Sequence, residues 1–420
     1  MLMRHSRSTR RRVLRLLGAA TLYGTTHQWR ADASMAQPAS DVEARTHDLL
    51  RAFDAQGGRR TGTDVDRASG EWLHREAVRA GGNAQLVPFS LNRIDVVEAY
   101  VEVEGRRIEG LPLFDGGVTD AAGVSAPLGP ESVHLAIADR AAIGTEGEFL
   151  AQVRRGGRVP AVVVVTSTSV PGLVPSNARA FAAPYGCPVL QVSSESRPVL
   201  EAAARSGATA RVVCRTTRTS TTALNVVAEV PGRQASLAPL VVITPRSGWW
   251  TCAAERGGGL VCWLEAMRAL AAARPARRAM FVASSGHELG HLGLDAFLHA
   301  NDALPGTAHA WIHLGANIGA GGAAAAGALL QASHDGLDEV MTGALTASGA
   351  AIAARLPRRR VPAGEARNLH VGGARYVSLI GQGNAWFHHE DDRYPAAVTA
   401  AGVARYARGV AAAATRLAND

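Results

Sequence analysis

The sequence predicts an α/β fold in which a mostly parallel central sheet is flanked by helices. Apolar runs of the buried-strand type lie at residues 239–244, 279–283 and 310–314, and helical segments separate them, an alternation typical of parallel sheets. The chain has 420 residues, of which 47% are hydrophobic. This length is sufficient for two domains or for one large domain that carries an insertion.

The entry to this fold is helical. Residues 66–80 place Trp72, Leu73, Ala77 and Ala80 on one stripe of a helix. Near residue 95 the pattern changes to alternation with many glycine and proline turns, and apolar strands follow at 161–165 and 188–192. We therefore expect a β-rich insert between two parts of the α/β domain.

The α/β pattern resumes at residue 221 and ends with an amphipathic helix over 395–417. The predicted division therefore assigns residues 41–94 and 221–420 to one α/β domain and residues 95–220 to the insert.

The charge is concentrated at the front of the chain. The formal net charge is +8, but residues 1–36 hold seven arginines and one acid, and without them it falls to +2. The rest shows no basic stripe, so we expect no nucleic-acid partner. No apolar run reaches the roughly 18 residues of a membrane helix, so we expect a protein that is not integral to the membrane.

The first 36 residues have the pattern of an export signal. Residues 9–15 read Thr-Arg-Arg-Arg-Val-Leu-Arg and precede a short apolar stretch, which resembles a twin-arginine signal peptide. The resemblance implies export and a periplasmic or secreted protein. The alternative is a basic tail without a targeting role. In an exported protein Cys252 and Cys262 either form a disulfide or are buried thiols.

Polar clusters follow the predicted strands at residues 244–256, 284–291, 313–317 and 386–392. Ligands of open α/β sheets bind at the carboxyl ends of the strands. We therefore expect these four clusters to meet in one site.

Several motifs in these segments resemble those of zinc exopeptidases of the aminopeptidase and glutamate carboxypeptidase type. Arg60-Thr61-Gly62-Thr63 matches the family's entry turn, and residues 225–232 match its N-V-x-A-x-x-P-G lead-in. Residues 95–220 resemble a protease-associated insert domain. The resemblance implies a zinc-dependent hydrolase that acts on a peptide or small amide substrate.

The family's site residues carry over only in part. The resemblance implies zinc ligands at Glu255, Glu288 and His388, and a general base at His287, where the family has the first Glu of a Glu-Glu pair. The family's histidine ligand falls on Arg246, which cannot ligate zinc. We therefore expect one zinc ion rather than two.

Two other functions stay open. A catalytically inactive homologue would bind a peptide or protein in the same cleft, with Arg246 and Trp249 as binding residues. His287-Glu288-Leu289-Gly290-His291 also has the H-E-x-x-H spacing of a zincin metalloprotease. His313, at the end of a predicted strand, is a candidate replacement ligand. The sequence carries no signal for oligomeric state.

Overall fold

A computed structural model describes residues 39–129, 132–139, 153–155, 157, 159–167, 170–321 and 326–420. The predicted signal peptide lies outside these residues. Residues 37–420 form one compact unit. Within the described residues, no helix has the length and apolar character needed to span a membrane.

The helices of the described residues agree with the predicted helical entry and the predicted terminal helix. They are α1 (Ala39–Asp54), α2 (Asp64–Arg79), α3 (Arg197–Ser206), α4 (Ala253–Ala273), α5 (Leu292–Ala300), α6 (Leu304–Thr307), α7 (Asp335–Ala347), α8 (Ala366–Val371) and α9 (Ala400–Asn419). Short 3₁₀ helices span Ser194–Ser196 and His287–Leu289. Thr63 begins α2 as its N-cap, because its side chain accepts a hydrogen bond from the backbone N–H of Asp66.

The strands include all three apolar runs that predicted the fold class. They are β1 (Asn83–Val103), β2 (Arg106–Pro112), β3 (Val124–Pro127), β4 (His134–Asp139), β5 (Val162–Ser167), β6 (Val189–Val192), β7 (Thr209–Val230), β8 (Leu240–Pro245), β9 (Ala279–Ser284), β10 (Ala310–Leu314), β11 (Ala328–Ala332), β12 (Ile352–Arg355) and β13 (Tyr376–Gly381). Strands β11, β12 and β13 were not predicted.

The described strands join in the order β12-β11-β13-β10-β8-β9-β7-β1-β2-β6-β5-β4, and β3 pairs with β7. Strands β13, β10, β8 and β9 are mutually parallel neighbours. Helices α1, α2, α4 and α9 cover one face of this region, and α5 and α8 cover the other. The predicted fold class is therefore confirmed.

Strands β1 and β7 connect the predicted insert to the rest of the chain. They are 21 and 22 residues long and pair antiparallel from Asn83↔Glu229 to Val103↔Ala210. A separate apolar cluster, drawn from residues between Ala99 and Cys214, packs around the far ends of these strands. The boundaries at 95 and 220 stay a prediction, and both fall inside a continuous strand.

Close packing beneath the site explains the glycines at the start of α4. A Cβ at Gly258 would overlap the backbone carbonyl of Ile318, and one at Gly259 would lie 2.6 Å from the Thr244 hydroxyl. Glycines at these two positions therefore allow the backbone of α4 to pack closely against the strand ends. Cys252 and Cys262 lie in the same region as free, buried thiols.

Candidate functional site

The polar clusters meet at the carboxyl ends of β8, β9 and β10, as predicted. Four of the six described non-glycine residues with positive φ lie here: Cys252 (54°), His291 (73°), Asn317 (63°) and His388 (61°). A non-glycine residue in this conformation is unfavourable, and such residues concentrate at functional sites. The surrounding contacts therefore impose a specific backbone path around the site.

Glu255 and His388, two of the predicted zinc ligands, are brought together. His388 Nε2 lies 3.3 Å from Glu255 Oε1, and both side chains are buried. His388 Nδ1 donates a hydrogen bond to the Pro175 carbonyl at 2.7 Å, so Nδ1 carries a proton and Nε2 is the nitrogen that faces Glu255. Burial opposes ionisation of Glu255, but the charges of Arg256 and His388 hold its pKa well below the usual value.

Arg256 lies beside Glu255 and was not singled out from the sequence. Its Nε donates to the Ser247 carbonyl at 2.7 Å, and its Nη2 lies 2.6 Å from Glu255 Oε1. The side chain is buried. A guanidinium stays charged in proteins, so Arg256 supplies a fixed positive charge beside Glu255.

Glu288, the third predicted zinc ligand, is engaged elsewhere. Its carboxylate accepts hydrogen bonds from the backbone N–H of Thr61 at 2.6 Å and from the Ser247 hydroxyl at 2.8 Å. The Thr61 hydroxyl also accepts from the Gly286 N–H. The entry turn and the turn after β9 are therefore fastened to each other through Glu288.

Arg246 is completely buried. Its Nη1 lies 2.9 Å from Asp66 Oδ1, and its Nε and Nη2 donate to the Leu224 carbonyl at 3.0 and 2.6 Å. Trp249 is also buried, packs edge-on against Phe114, and donates from Nε1 to Asn177. The substrate-binding roles of Arg246 and Trp249 stay predictions, and both side chains have partners within the protein.

A second group of imidazoles and carboxylates surrounds His287. Its Nδ1 lies 2.6 Å from Glu365 Oε1, and Glu365 Oε2 lies 3.4 Å from His313 Nε2. The His287 and His291 rings are 5.1 Å apart between centroids. His287, His291 and Glu365 each offer a ligand atom, and these atoms all lie within 4.8 Å of one another. Among the described residues, these three side chains form the group suited to a metal ion.

The protonation of these imidazoles follows from their partners. Burial and the charge of Arg256 lower the pKa of His287 to about 4, so the ring is neutral near pH 7. His291 Nδ1 lies 2.8 Å from the side-chain oxygen of Asn368, whose amide nitrogen is used on Asp295. An oxygen can only accept, so the His291 proton is on Nδ1 and its Nε2 carries a lone pair.

The zincin arrangement is not formed at this motif. That arrangement requires both histidines on one helix, with the glutamate directed to the same site. Here a 3₁₀ helix covers His287–Leu289, His291 has φ 73°, and a new helix begins at Leu292. The two histidines still meet, but Glu288 is bound to Thr61 and Ser247 instead.

A loop of the predicted insert covers the site. We name residues 170–179 the covering segment. Its Pro171 and Pro175 carbonyls accept from His389 and His388, and the Ala178 N–H donates to the Glu288 carbonyl. The covering segment is therefore fastened to the strand-end side of the site by these three hydrogen bonds.

Glu365 and Arg256 are the site residues that the sequence did not reveal. Glu365 immediately precedes the six-residue helix α8 and belongs to no recognised motif. Arg256 directly follows Glu255, which was considered only for its own position. The sequence did offer one signal: an arginine directly after a predicted zinc ligand, which can pair with that ligand.

Comparison with known proteins gives the fold a precedent. No protein-family model matches the sequence, and no curated protein matches it. The solved zinc aminopeptidase BSAP from Bacillus subtilis aligns with a TM-score of 0.71 at 16% identity, over 92% of this chain and 96% of that one. An aminopeptidase from Aneurinibacillus sp. strain AM-1 aligns at 0.68 and 14%, over 91% and 94%.

A third solved structure agrees with these two. A peptidase M28 precursor from Shewanella amazonensis aligns with a TM-score of 0.72 at 16% identity, over 91% of this chain and 96% of that one. At such identities the likeness concerns the fold. The chain therefore has the fold of zinc aminopeptidases along nearly its whole described length.

Proposed function

We propose that this protein is a metal-dependent hydrolase of the exopeptidase type that acts on peptides or small amides with one divalent ion. The observation that carries the proposal is the cluster of His287, His291 and Glu365 at the carboxyl edge of an aminopeptidase-like sheet. Zinc is the ion that this donor set favours, because imidazole and carboxylate are common zinc ligands.

The positions that the resemblance implied as ligands do not fit zinc in this chain. Glu288 uses its carboxylate on Thr61 and Ser247. Arg246 is an arginine paired with Asp66, and Glu255 is already paired with a guanidinium. We therefore derive no step through a metal at these positions.

The second cluster does fit. His291 carries its proton on Nδ1, toward Asn368, and His287 is neutral with Nδ1 on Glu365. His291 therefore has Nε2 free to bind an ion, with Nδ1 oriented by Asn368, which is the usual arrangement of a metal-ligating histidine. At His287, an ion shared with Glu365 would take the place of the proton that now lies between His287 Nδ1 and Glu365 Oε1. Glu365 is buried and its pKa lies well below the usual value, because the nearby histidines outweigh the effect of burial.

His287 and His388 therefore exchange the roles that the sequence suggested. His287, His291 and Glu365 would hold the zinc ion, which would supply Lewis acidity toward the scissile carbonyl. The hydrogen bond to Pro175 keeps a proton on His388 Nδ1 and leaves Nε2 as the basic nitrogen, so His388 is the group suited to take a proton from the attacking water. Glu255, 3.3 Å away, stabilises the imidazolium that results.

The covering segment controls access. His388 is held by Pro175 and Trp249 by Asn177, so substrate reaches these residues only when the segment moves outward. The twin-arginine resemblance supports export in the folded state, and we propose a periplasmic or secreted location.

The proposal is tested by metal content and peptidase activity together. The chain is saturated with zinc, dialysed and analysed for bound metal, and is assayed on aminoacyl p-nitroanilides. We expect about one zinc per chain, and we expect His291→Ala and Glu365→Gln to lose both zinc and activity. His299→Ala, at an exposed histidine of the next helix, is the matched control.

A non-catalytic peptide-binding protein is the second candidate. It is favoured by the diversion of Arg246 and Glu288 into contacts within the protein. No zinc uptake by the unaltered chain, with peptide binding retained, would support this candidate and refute the hydrolase.

A further inference from the structure

Three buried polar atoms without a hydrogen bond of good geometry lie next to one another in the site. They are Oε1 and Oε2 of Glu255 and Nε2 of His388, and none has a hydrogen-bond partner among the described residues. Buried polar groups are normally paired, and leaving them unpaired is unfavourable. The buried carboxylate of Glu255 therefore needs a positive charge beside it.

The guanidinium of Arg256 is the cation at this place. Its Nε is anchored on the Ser247 carbonyl, which directs the two terminal nitrogens toward Glu255. Nη2 lies 2.6 Å from Glu255 Oε1, yet Nη1 and Nη2 lack hydrogen bonds of good geometry among the described residues. The contact is therefore an ion pair: it neutralises the Glu255 charge, but it leaves the Nη1 and Nη2 donors of Arg256 without well-aligned hydrogen bonds.

We infer that Arg256 is a fixed cation that takes the place of a second metal ion at Glu255, the carboxylate that His388 also contacts. The site then combines one exchangeable ion, at His287, His291 and Glu365, with one permanent positive charge. This inference extends the proposed function but does not depend on peptide cleavage, because it concerns which residues accept metal.

Arg246 shows the contrast. It is equally buried, but its Nε, Nη1 and Nη2 all donate hydrogen bonds, to the carbonyls of Leu224 and Asp66. No group of unsatisfied acceptors surrounds it in the described structure. Its removal should therefore create no metal site, which makes it the matched control.

The inference is tested by counting zinc in Arg256→Met, a neutral substitution of similar length. Full-length protein is refolded or expressed with zinc, dialysed and analysed for bound metal. We expect about one zinc per chain more than in the unaltered protein, and we expect zinc to raise the melting temperature of Arg256→Met more than that of the parent. The double variant Arg256→Met/Glu255→Gln should lose the additional ion, and Arg246→Met, analysed under conditions in which it remains folded, should not gain one.

The test measures the difference in zinc content between Arg256→Met and the parent, so its result does not depend on how much zinc the parent binds. A change from no zinc to one would still support the role of Arg256 while refuting the one-metal hydrolase. Equal zinc content in folded Arg256→Met and the parent would overturn the inference. If Arg256→Met does not fold, the zinc content of the single variants Glu255→Gln and His388→Ala, each with Arg256 retained, is compared with that of the parent. Unchanged zinc content supports a site filled by Arg256, and a loss of zinc overturns it.

Discussion

Replacing Arg246 by methionine should destabilise the fold strongly, because Arg246 and Asp66 form a buried ion pair. Their side chains are 0% and 1% exposed, so solvent cannot replace the lost partner. The substitution removes the positive charge beside the Asp66 carboxylate and the donors to the backbone carbonyls of Asp66 and Leu224. The carboxylate keeps only its hydrogen bonds from the Gly62 N–H and the Ser285 hydroxyl. Removing one partner of a buried pair costs about 3–5 kcal/mol of unfolding free energy.

The penalty should also depend on pH. Burial already raises the pKa of Asp66, although the charge of Arg246 opposes this. Without Arg246 the folded-state pKa rises further above the unfolded value, so the folded variant retains a proton that the unfolded chain releases. The stability of Arg246→Met therefore falls, relative to the parent, as the pH rises from about 4 toward neutrality.

Urea denaturation followed by tryptophan fluorescence at pH 5 and pH 7.5 measures both effects. Arg278→Met is the control, because Arg278 and Glu229 are 42% and 43% exposed and such pairs contribute at most about 1 kcal/mol. A loss below about 1 kcal/mol for Arg246→Met would refute the structural role derived from the buried-pair cost. Weaker peptide binding at unchanged stability would instead favour the substrate-binding role that the sequence suggested.

Three further predictions concern the frame around the site. Gly258→Ala should lower the free energy of unfolding by about 1–3 kcal/mol, because the added Cβ overlaps the Ile318 carbonyl. Gly336→Ala, where a helix faces open space, is the control and should be neutral or stabilising. Similar urea midpoints for the two variants would contradict this packing. Burial and the charge of Glu255 raise the pKa of Asp392 to about 7. The folded protein therefore keeps a proton that the unfolded chain releases, and folding stability should decline between about pH 4 and 7. If Asp392→Asn shows the same decline in a denaturation series, Asp392 is not its cause. The four cysteines are free and buried, so a thiol reagent should modify them only after unfolding, and fewer than four thiols in denatured, unreduced protein would indicate a disulfide.

The fold was predictable because its signals are local. The apolar runs that became β8, β9 and β10 are short and continuous, and the stripe in α2 follows the helical period. Strands β11 and β12 escaped prediction because they lie among alanines and glycines. Such segments carry little periodic signal.

The site was predictable only where a family position and a contact coincide. Glu255 and His388 occupy matching positions and do meet. The position of Glu288 was decided by hydrogen bonds to Thr61, 227 residues away, and to Ser247, which no motif encodes. Glu365 reaches His287 across 78 positions of the chain. Contacts between residues so far apart in the sequence follow from tertiary packing, and a sequence motif carries no information about it.

The long β1–β7 pairing limits how this chain can be divided. Cuts at residues 95 and 220 would sever both strands in the middle of a continuous ladder and expose backbone N–H and C=O groups on each side. The α/β part expressed alone would carry these open edges, and it would also lack the Pro175 carbonyl that holds the His388 ring. The insert is thus not an exchangeable module, and trimming it should yield aggregation rather than a smaller working protein.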